Sequence, residues 1–307
     1  MNLTNITIIK ALLKRHGAKP EKYLGQHFIL SKKVLAQMVA AAEIKKNDII
    51  IEIGPGPGAL TQELVKTGAK IIAIEKDPLM AKITKETLKD LKNVKIIRGD
   101  ARKIEFPISN FQFLNKSQIS NSKPKIKEKY KIVANLPYNV ATFLIRQWLE
   151  LKNPPKLMVL MIQKEVAQRI TAKPRLRQGY GGQAPMNLLA ISVQFYADVK
   201  IIGYVPAEAF LPKPKVDSAI IKIIPRKSVS FQTIASKLTF FKVVKAGFSQ
   251  PRKQLIGNLT QKLNIPKEEI LLTFKKLDIS EHARAENLSL EQWISLVISL
   301  HPPLIHK

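Results

Sequence analysis

The chain has 307 residues, 45% hydrophobic and 24% charged, a balance that fits one large globular domain plus a smaller one. Lys+Arg number 51 against 23 Asp+Glu, a formal net charge of +28, which points to a polyanionic partner, most often nucleic acid, rather than merely a lysine-rich soluble surface. With no cysteine, disulfides and thiolate metal sites are excluded; the five histidines (His16, His27, His282, His301, His306) show no metal-ligand spacing, and no apolar run reaches the roughly 18 residues of a membrane span.

The amino-terminal stretch MNLTNITIIKALLKRHG lacks the long apolar core and small-residue cleavage site of a signal peptide. It predicts a short amphipathic basic helix over residues 5–16, and cytoplasm follows by default. From Asp48 the chain alternates strand and helix. DIIIEIG (48–54) is an all-apolar strand with one acid, the pattern of a strand covered on both faces. GALTQELVKTG is a helix ending at Gly68, KIIAIEKD (70–77) a strand, and PLMAKITKETLKDLK a helix opened by proline. NVKIIRGDA (93–101), YKIVANLPY (130–138) and KLMVLMIQ (156–163) are further strands, with VKIIGYVP and SAIIKIIP nearer the carboxyl end. Such alternation means an α/β fold, a mostly parallel sheet with helices on both faces. A polar, lysine-rich loop at about 107–129 and another at about 173–186 (KPRLRQGYGGQAPM) interrupt it and read as exposed. After Pro225 only helices are expected, such as FKVVKAGFSQPRKQLIGNL and SLEQWISLVISL, so a sheet domain over 1–225 precedes a small all-helical domain over 226–307. No internal repeat is visible.

EIGPGPGALT follows the first strand of the alternation and opens a helix. Gly54 and Gly56 allow a tight turn and close approach of a ligand, and with Ala59 they satisfy the pattern G-x-G-x-x-A. A tight turn alone is the bland alternative, and the absence of G-K-[ST] excludes a phosphate loop. Glu75 ends the second strand, 21 residues after Gly54, where a carboxylate can accept both hydroxyls of a ribose. Asp100 ends the third, where a carboxylate can accept from an adenine amine. Either acid could instead cap the following helix. Adenosine is common to NAD and S-adenosylmethionine, so these acids do not separate the two.

Asn135, Leu136, Pro137 and Tyr138 (NLPY) do. They sit at the end of the fourth strand, beside the cofactor crevice. The exocyclic amine of adenine is a poor nucleophile because its lone pair is delocalised into the ring. Two acceptors aimed at its hydrogens, the Asn135 side-chain oxygen and a backbone carbonyl of Leu136–Pro137, would localise that lone pair. Pro137 fixes the turn, and Tyr138 offers a π-face to the base. The rival reading is an Asx turn followed by proline.

LGQHFIL, EIGPGPGALT, GDA, NLPYNVAT, QKEVAQRI, AFLPKPKVDSAI, SQPRKQL and RAENLS occur in the order seen in rRNA adenine N6,N6-dimethyltransferases, which the chain resembles over about residues 8–300, most of all the bacterial small-subunit type. The resemblance implies a Rossmann-like methyltransferase domain with a small helical carboxyl domain, S-adenosylmethionine as cofactor, and dimethylation of two adjacent adenosines near the 3′ end of 16S rRNA by a monomer. It also implies that His27 and Ile29 close over the cofactor and that Gly54, Gly56, Glu75, Asp100 and Asn135 line its site. Asn135 to Tyr138 would receive the target adenine, and Phe210 would stack on its other face. Bland rivals stand beside these: His27 as a loop residue, Phe210 as core, and SQPRKQL as a solvated helix face rather than a phosphate contact. Both long loops depart from the family pattern. Alternative functions are the macrolide-resistance type of large-subunit adenine methyltransferase, a non-catalytic RNA-binding assembly factor, and an NAD-dependent oxidoreductase.

Overall fold

The computed structural model describes residues 1–20, 25–104, 130–174, 185–226 and 234–300. The expected loop at 107–129 and most of that at 173–186 fall outside them.

The expected amino-terminal helix is α1 (Ile6–Arg15), started by Asn5, whose side chain accepts from the amides of Thr7 and Ile8. It buries Ile9, Leu12 and Leu13, one helical stripe, and leaves its basic side to solvent. A two-residue strand β1 (Phe28–Ile29) follows, then α2 (Lys32–Ala41), β2 (Ile49–Ile53), α3 (Ala59–Val65), β3 (Lys70–Glu75), α4 (Pro78–Thr87) and β4 (Val94–Arg98). Next come β5 (Tyr130–Asn135), α5 (Ala141–Leu149), β6 (Leu157–Gln163), α6 (Lys164–Ile170), α7 (Leu188–Gln194), β7 (Ala197–Val205), the short β8 (Phe210–Leu211) and β9 (Ser218–Pro225).

The larger sheet has the order β4-β3-β2-β5-β6-β9-β7. β2 pairs in parallel with β3 and β5, β3 with β4, and β5 with β6, whereas β9 runs antiparallel to β6. The isoleucine runs face each other across the ladder, Ile50 on Ile71 and Ile51 on Ile72, so these strands bury both faces. Strand order reverses between β2 and β5: the chain first builds outward to β4, then returns to the other side of β2. Ligands of open parallel sheets bind at such a switch point, beyond the carboxyl ends of the strands. The opposite end of the sheet is closed by Lys131, a buried residue of β5. Its Nζ donates to the carbonyls of Ala42 and Glu43 and pairs with Asp48 at 2.8 Å, so the buried cation keeps its partners.

The chain divides into two compact units, Met1–Lys164 with Lys200–Pro225, and Glu165–Val199 with Arg226–Lys307. Residues 165–199 group with the carboxyl part, where the sequence pattern predicts one continuous domain over 1–225. The reason is apolar packing: Met186, Ala190, Ile191 and Phe195 share a core with Phe240, Val244 and Trp293, and the Phe195 and Phe240 rings stack at 4.5 Å. The rest of this unit is α8 (Ile234–Gly247), α9 (Leu255–Leu263), α10 (Lys267–Lys276) and α11 (Leu290–Leu300). FKVVKAGFSQPRKQLIGNL is therefore two helices, not one. Between them runs a turn held by buried Asn258, whose Nδ2 donates to the carbonyls of Gly247 (2.7 Å) and Gln250 (3.0 Å). SQPRKQL belongs to that turn and the start of α9, not to a helix face.

Candidate active site

The carboxyl ends of β2, β3, β4 and β5 open into one cleft in the first unit. The glycine loop leaves β2 with Gly54 at φ 66°, Gly56 at 55° and Gly58 at 99°, a left-handed run that other residues rarely adopt. Gly58 is the cap of α3, a role the pattern G-x-G-x-x-A did not single out. Sequence gave no hint of what holds the loop. The Gly54 amide donates to the Ile74 carbonyl (2.9 Å), and the Gly56 amide to Glu75 Oε2 (3.3 Å). The Gly56 and Pro57 carbonyls accept from Thr84 and Thr87 of α4.

Glu75 lines the cleft and is 6% exposed. Burial pushes its carboxyl above the ordinary range, against the amides of Asp77 and Gly56 that favour the charged form. It does not cap α4; Asp77 does, accepting from the amides of Leu79 and Met80. Asp100 also lines the cleft, but its carboxylate is engaged by the Arg102 amide and guanidinium, with Lys76 at 3.4 Å. The guanidinium holds that carboxyl far below its usual range. The free acceptor expected there is thus occupied by Arg102, itself part of the lining.

Asn135 closes β5 with its amide committed: Nδ2 donates to the His27 carbonyl at 2.8 Å. Its Oδ1 faces no donor among the described residues. The Leu136 amide donates to Met161 of β6, and the Pro137 carbonyl accepts from Val140, which leaves the Leu136 carbonyl as the free backbone acceptor. Tyr138 bonds Ser218 through its hydroxyl (2.7 Å), and its ring stacks on His27 with centroids 5.5 Å apart. His27 Nδ1 lies 2.7 Å from the Pro212 carbonyl. Gly25 brings this segment against NLPY: at φ 66°, a Cβ there would sit 3.1 Å from Pro137 Cβ.

His27, Ile29, Gly54, Gly56, Glu75, Asp100, Asn135 and Pro137 therefore share one lining, whereas Leu136 and Tyr138 flank it. Phe210 is not brought in. It is 3% exposed, pairs with Ile29 across β1 and β8, and packs in the apolar core rather than in the lining. Glu52 was missed, although it is the lone acid in an isoleucine strand. It lines the cleft 2% exposed, its Oε2 has no partner among the described residues, and burial raises its carboxyl to about 8. Among the described residues no cluster of metal-ligating side chains occurs, and no helix is long and apolar enough to cross a membrane.

Known proteins resemble this arrangement along nearly its whole length. Ribosomal RNA small subunit methyltransferase A of Dehalococcoides mccartyi is 38% identical over 289 residues, 94% of this chain and 91% of that protein. The protein of the same name from Clostridium botulinum is 38% identical over 284 residues, covering 92% and 95%. Among solved structures, a dimethyladenosine transferase from Plasmodium falciparum superposes with a TM-score of 0.70 at 28% identity, over 89% of this chain and 97% of that one. The 23S rRNA methyltransferase ErmE shares the fold, with a TM-score of 0.68 at 23% identity. The family described as Ribosomal RNA adenine dimethylase matches residues 17–301, and the chain, a Rossmann-like methyltransferase by fold, belongs to that family.

Proposed function

We propose that this protein transfers methyl groups from S-adenosylmethionine to N6 of two adjacent adenosines near the 3′ end of small-subunit rRNA, as a cytoplasmic monomer acting in ribosome biogenesis. The observation that carries the reading is the split role of Asn135, whose Nδ2 is fixed by the His27 carbonyl while Oδ1 is left as an acceptor at the cleft.

The lining fits the cofactor. Gly54 and Gly56 form a side-chain-free cradle at the strand end, and the Glu75 carboxylate, beside two amides, retains lone pairs for ribose hydroxyls. Glu52 Oε2 is a buried carboxyl oxygen without a partner among the described residues, able to donate or accept towards a ligand. Asp100 becomes an adenine acceptor only if a donor from Arg102 or Lys76 gives way. When bound, S-adenosylmethionine supplies an electrophilic methyl group. The protein's part is to hold and polarise the amine. Asn135 Oδ1 and the Leu136 carbonyl accept its two N–H bonds and draw the nitrogen towards a tetrahedral shape. Tyr138, with His27 along one face, offers the other face to the base. No strong base is required, because the nitrogen becomes cationic only as the methyl arrives and its proton can pass to water. An amide suits this position better than a carboxylate, which would also stabilise the cationic cofactor in the ground state.

Asn135→Ala is expected to lower single-turnover methyl transfer to small-subunit particles by about 10²–10³, with little change in RNA affinity, which phosphate contacts dominate. Transfer at the wild-type rate would mean that NLPY is only a turn.

A further inference from the structure

Helix α5 begins immediately after NLPY, and most of its apolar residues are buried: Ala141, Leu144, Ile145, Trp148 and Leu149. Phe143 breaks that pattern. It is 54% exposed, on the solvent stripe that also carries Arg146 three residues on. Asn139, Val140 and Leu144, its neighbours along the chain, line the cleft, so the start of the helix that bears Phe143 adjoins it. One turn further, Gln147 Nε2 donates to the Arg102 carbonyl at 3.2 Å, which pins the exposed, basic Arg102–Lys103 segment beside the same stripe. An exposed ring on a helix that also carries Arg146, with the Arg102–Lys103 segment bonded to the same helix, combines a stacking surface with basic charge, the composition of single-stranded nucleic-acid sites. Arg146 pairs with Glu150 and Arg102 with Asp100, so an RNA phosphate would share these cations with their carboxylates. A lone surface phenylalanine needs no explanation; one on a helix whose start adjoins the reacting cleft, in a chain of net charge +28, has a ready occupant.

We propose that Phe143 is a positioning platform on which an unpaired RNA base adjoining the target adenosine stacks, so that the reactive base enters the cleft at Asn135. The proposal rests on the rRNA-methylating reading. Stacking on a side chain is sequence-tolerant, because every base has a π-face, which suits an enzyme that must present two successive adenosines in turn.

The experiment compares methyl transfer to small-subunit particles by wild type, Phe143→Ala, Phe143→Leu and Phe143→Trp, with S-adenosylmethionine affinity and Tm measured on each. Phe143→Ala and Phe143→Leu are expected to raise the KM for particles about tenfold, with cofactor affinity and Tm unchanged; Phe143→Trp is expected to restore it. A wild-type KM in Phe143→Ala overturns the proposal. So does full function in Phe143→Leu, which would indicate simple apolar contact, or a lowered Tm that accounts for the loss. Failure of the functional reading is distinct: wild type itself would then methylate no particle, whereas an active wild type with an impaired Asn135→Ala and a normal Phe143→Ala sinks the platform alone.

Discussion

Glu52 is a carboxyl without a partner for one of its oxygens, enclosed by the strand ends. Burial raises it from 4.5 to about 8, with the Glu75 charge adding to the rise. Across that window the folded chain keeps a proton that the unfolded chain has released, so stability falls as pH rises through it and stays low above it. Glu52→Gln removes the titration. Its Tm is expected to change less than that of wild type between about pH 5 and pH 8.5, lying above the wild-type value at the alkaline end. Parallel Tm curves for the two proteins would show that Glu52 holds no such proton. At this scale the sequence discloses residues whose position along a strand sets where they stand: Glu75 and Asn135 end strands and Asp100 follows one by two residues, and all three line the cleft. It does not disclose those whose role is set by distant partners. Gly25 owes its identity to Pro137, over a hundred residues away, and Thr84 and Thr87 owe theirs to two loop carbonyls. Arg102 sits next to a predicted ligand, yet nothing local shows that it occupies that ligand's carboxylate.

The strands of the larger sheet and α1 follow from local pattern, since hydrophobic period and caps are properties of neighbouring residues; the two-residue β1 and β8, which pair only with each other, do not. The break between α8 and α9 was signalled only by Pro251, against an otherwise helical run. What fixes it is Asn258, a turn further on, which bonds two carbonyls that α8 and the turn leave open. The join is also sterically tight. A Cβ on Gly247 would lie 2.4 Å from Trp293 Cη2 and 2.7 Å from Leu255 Cδ1, both core side chains. Gly247→Ala is therefore expected to destabilise the protein by about 1–3 kcal/mol, despite alanine's better helix propensity. The readout is a lower urea midpoint at unchanged m-value; an unaltered midpoint would mean that Trp293 moves aside freely.

For the molecule as a whole, charge speaks most plainly. A net charge of +28 far exceeds what solubility requires, and an RNA partner makes it purposeful. Binding to small-subunit rRNA is expected to weaken steeply with salt, each phosphate contact adding about 0.7–0.9 to the slope of log affinity against log salt concentration. A nearly flat response in a salt titration would assign the charge elsewhere. The grouping of residues 165–199 with the carboxyl helices was not legible, because a strand-helix alternation looks the same whichever core its apolar face joins; only the packing of Phe195 on Phe240 decides it.

The segment Gly25–Ile29 and the turn Asn135–Tyr138 meet three times, through the Gly25–Pro137 contact, the Asn135–His27 hydrogen bond and the His27–Tyr138 stack. On the proposed reading, one flank of the cofactor cleft and the seat of the target base are thus a single part. Two ligands that settle the same part are expected to bind cooperatively. Whatever factor the cofactor adds to the affinity for an adenosine acceptor, the acceptor must return to the cofactor. Calorimetric titration of S-adenosylmethionine, with and without a short adenosine-bearing RNA, would read that factor from either side. Equal affinities in both titrations would mean that the shared wall transmits nothing.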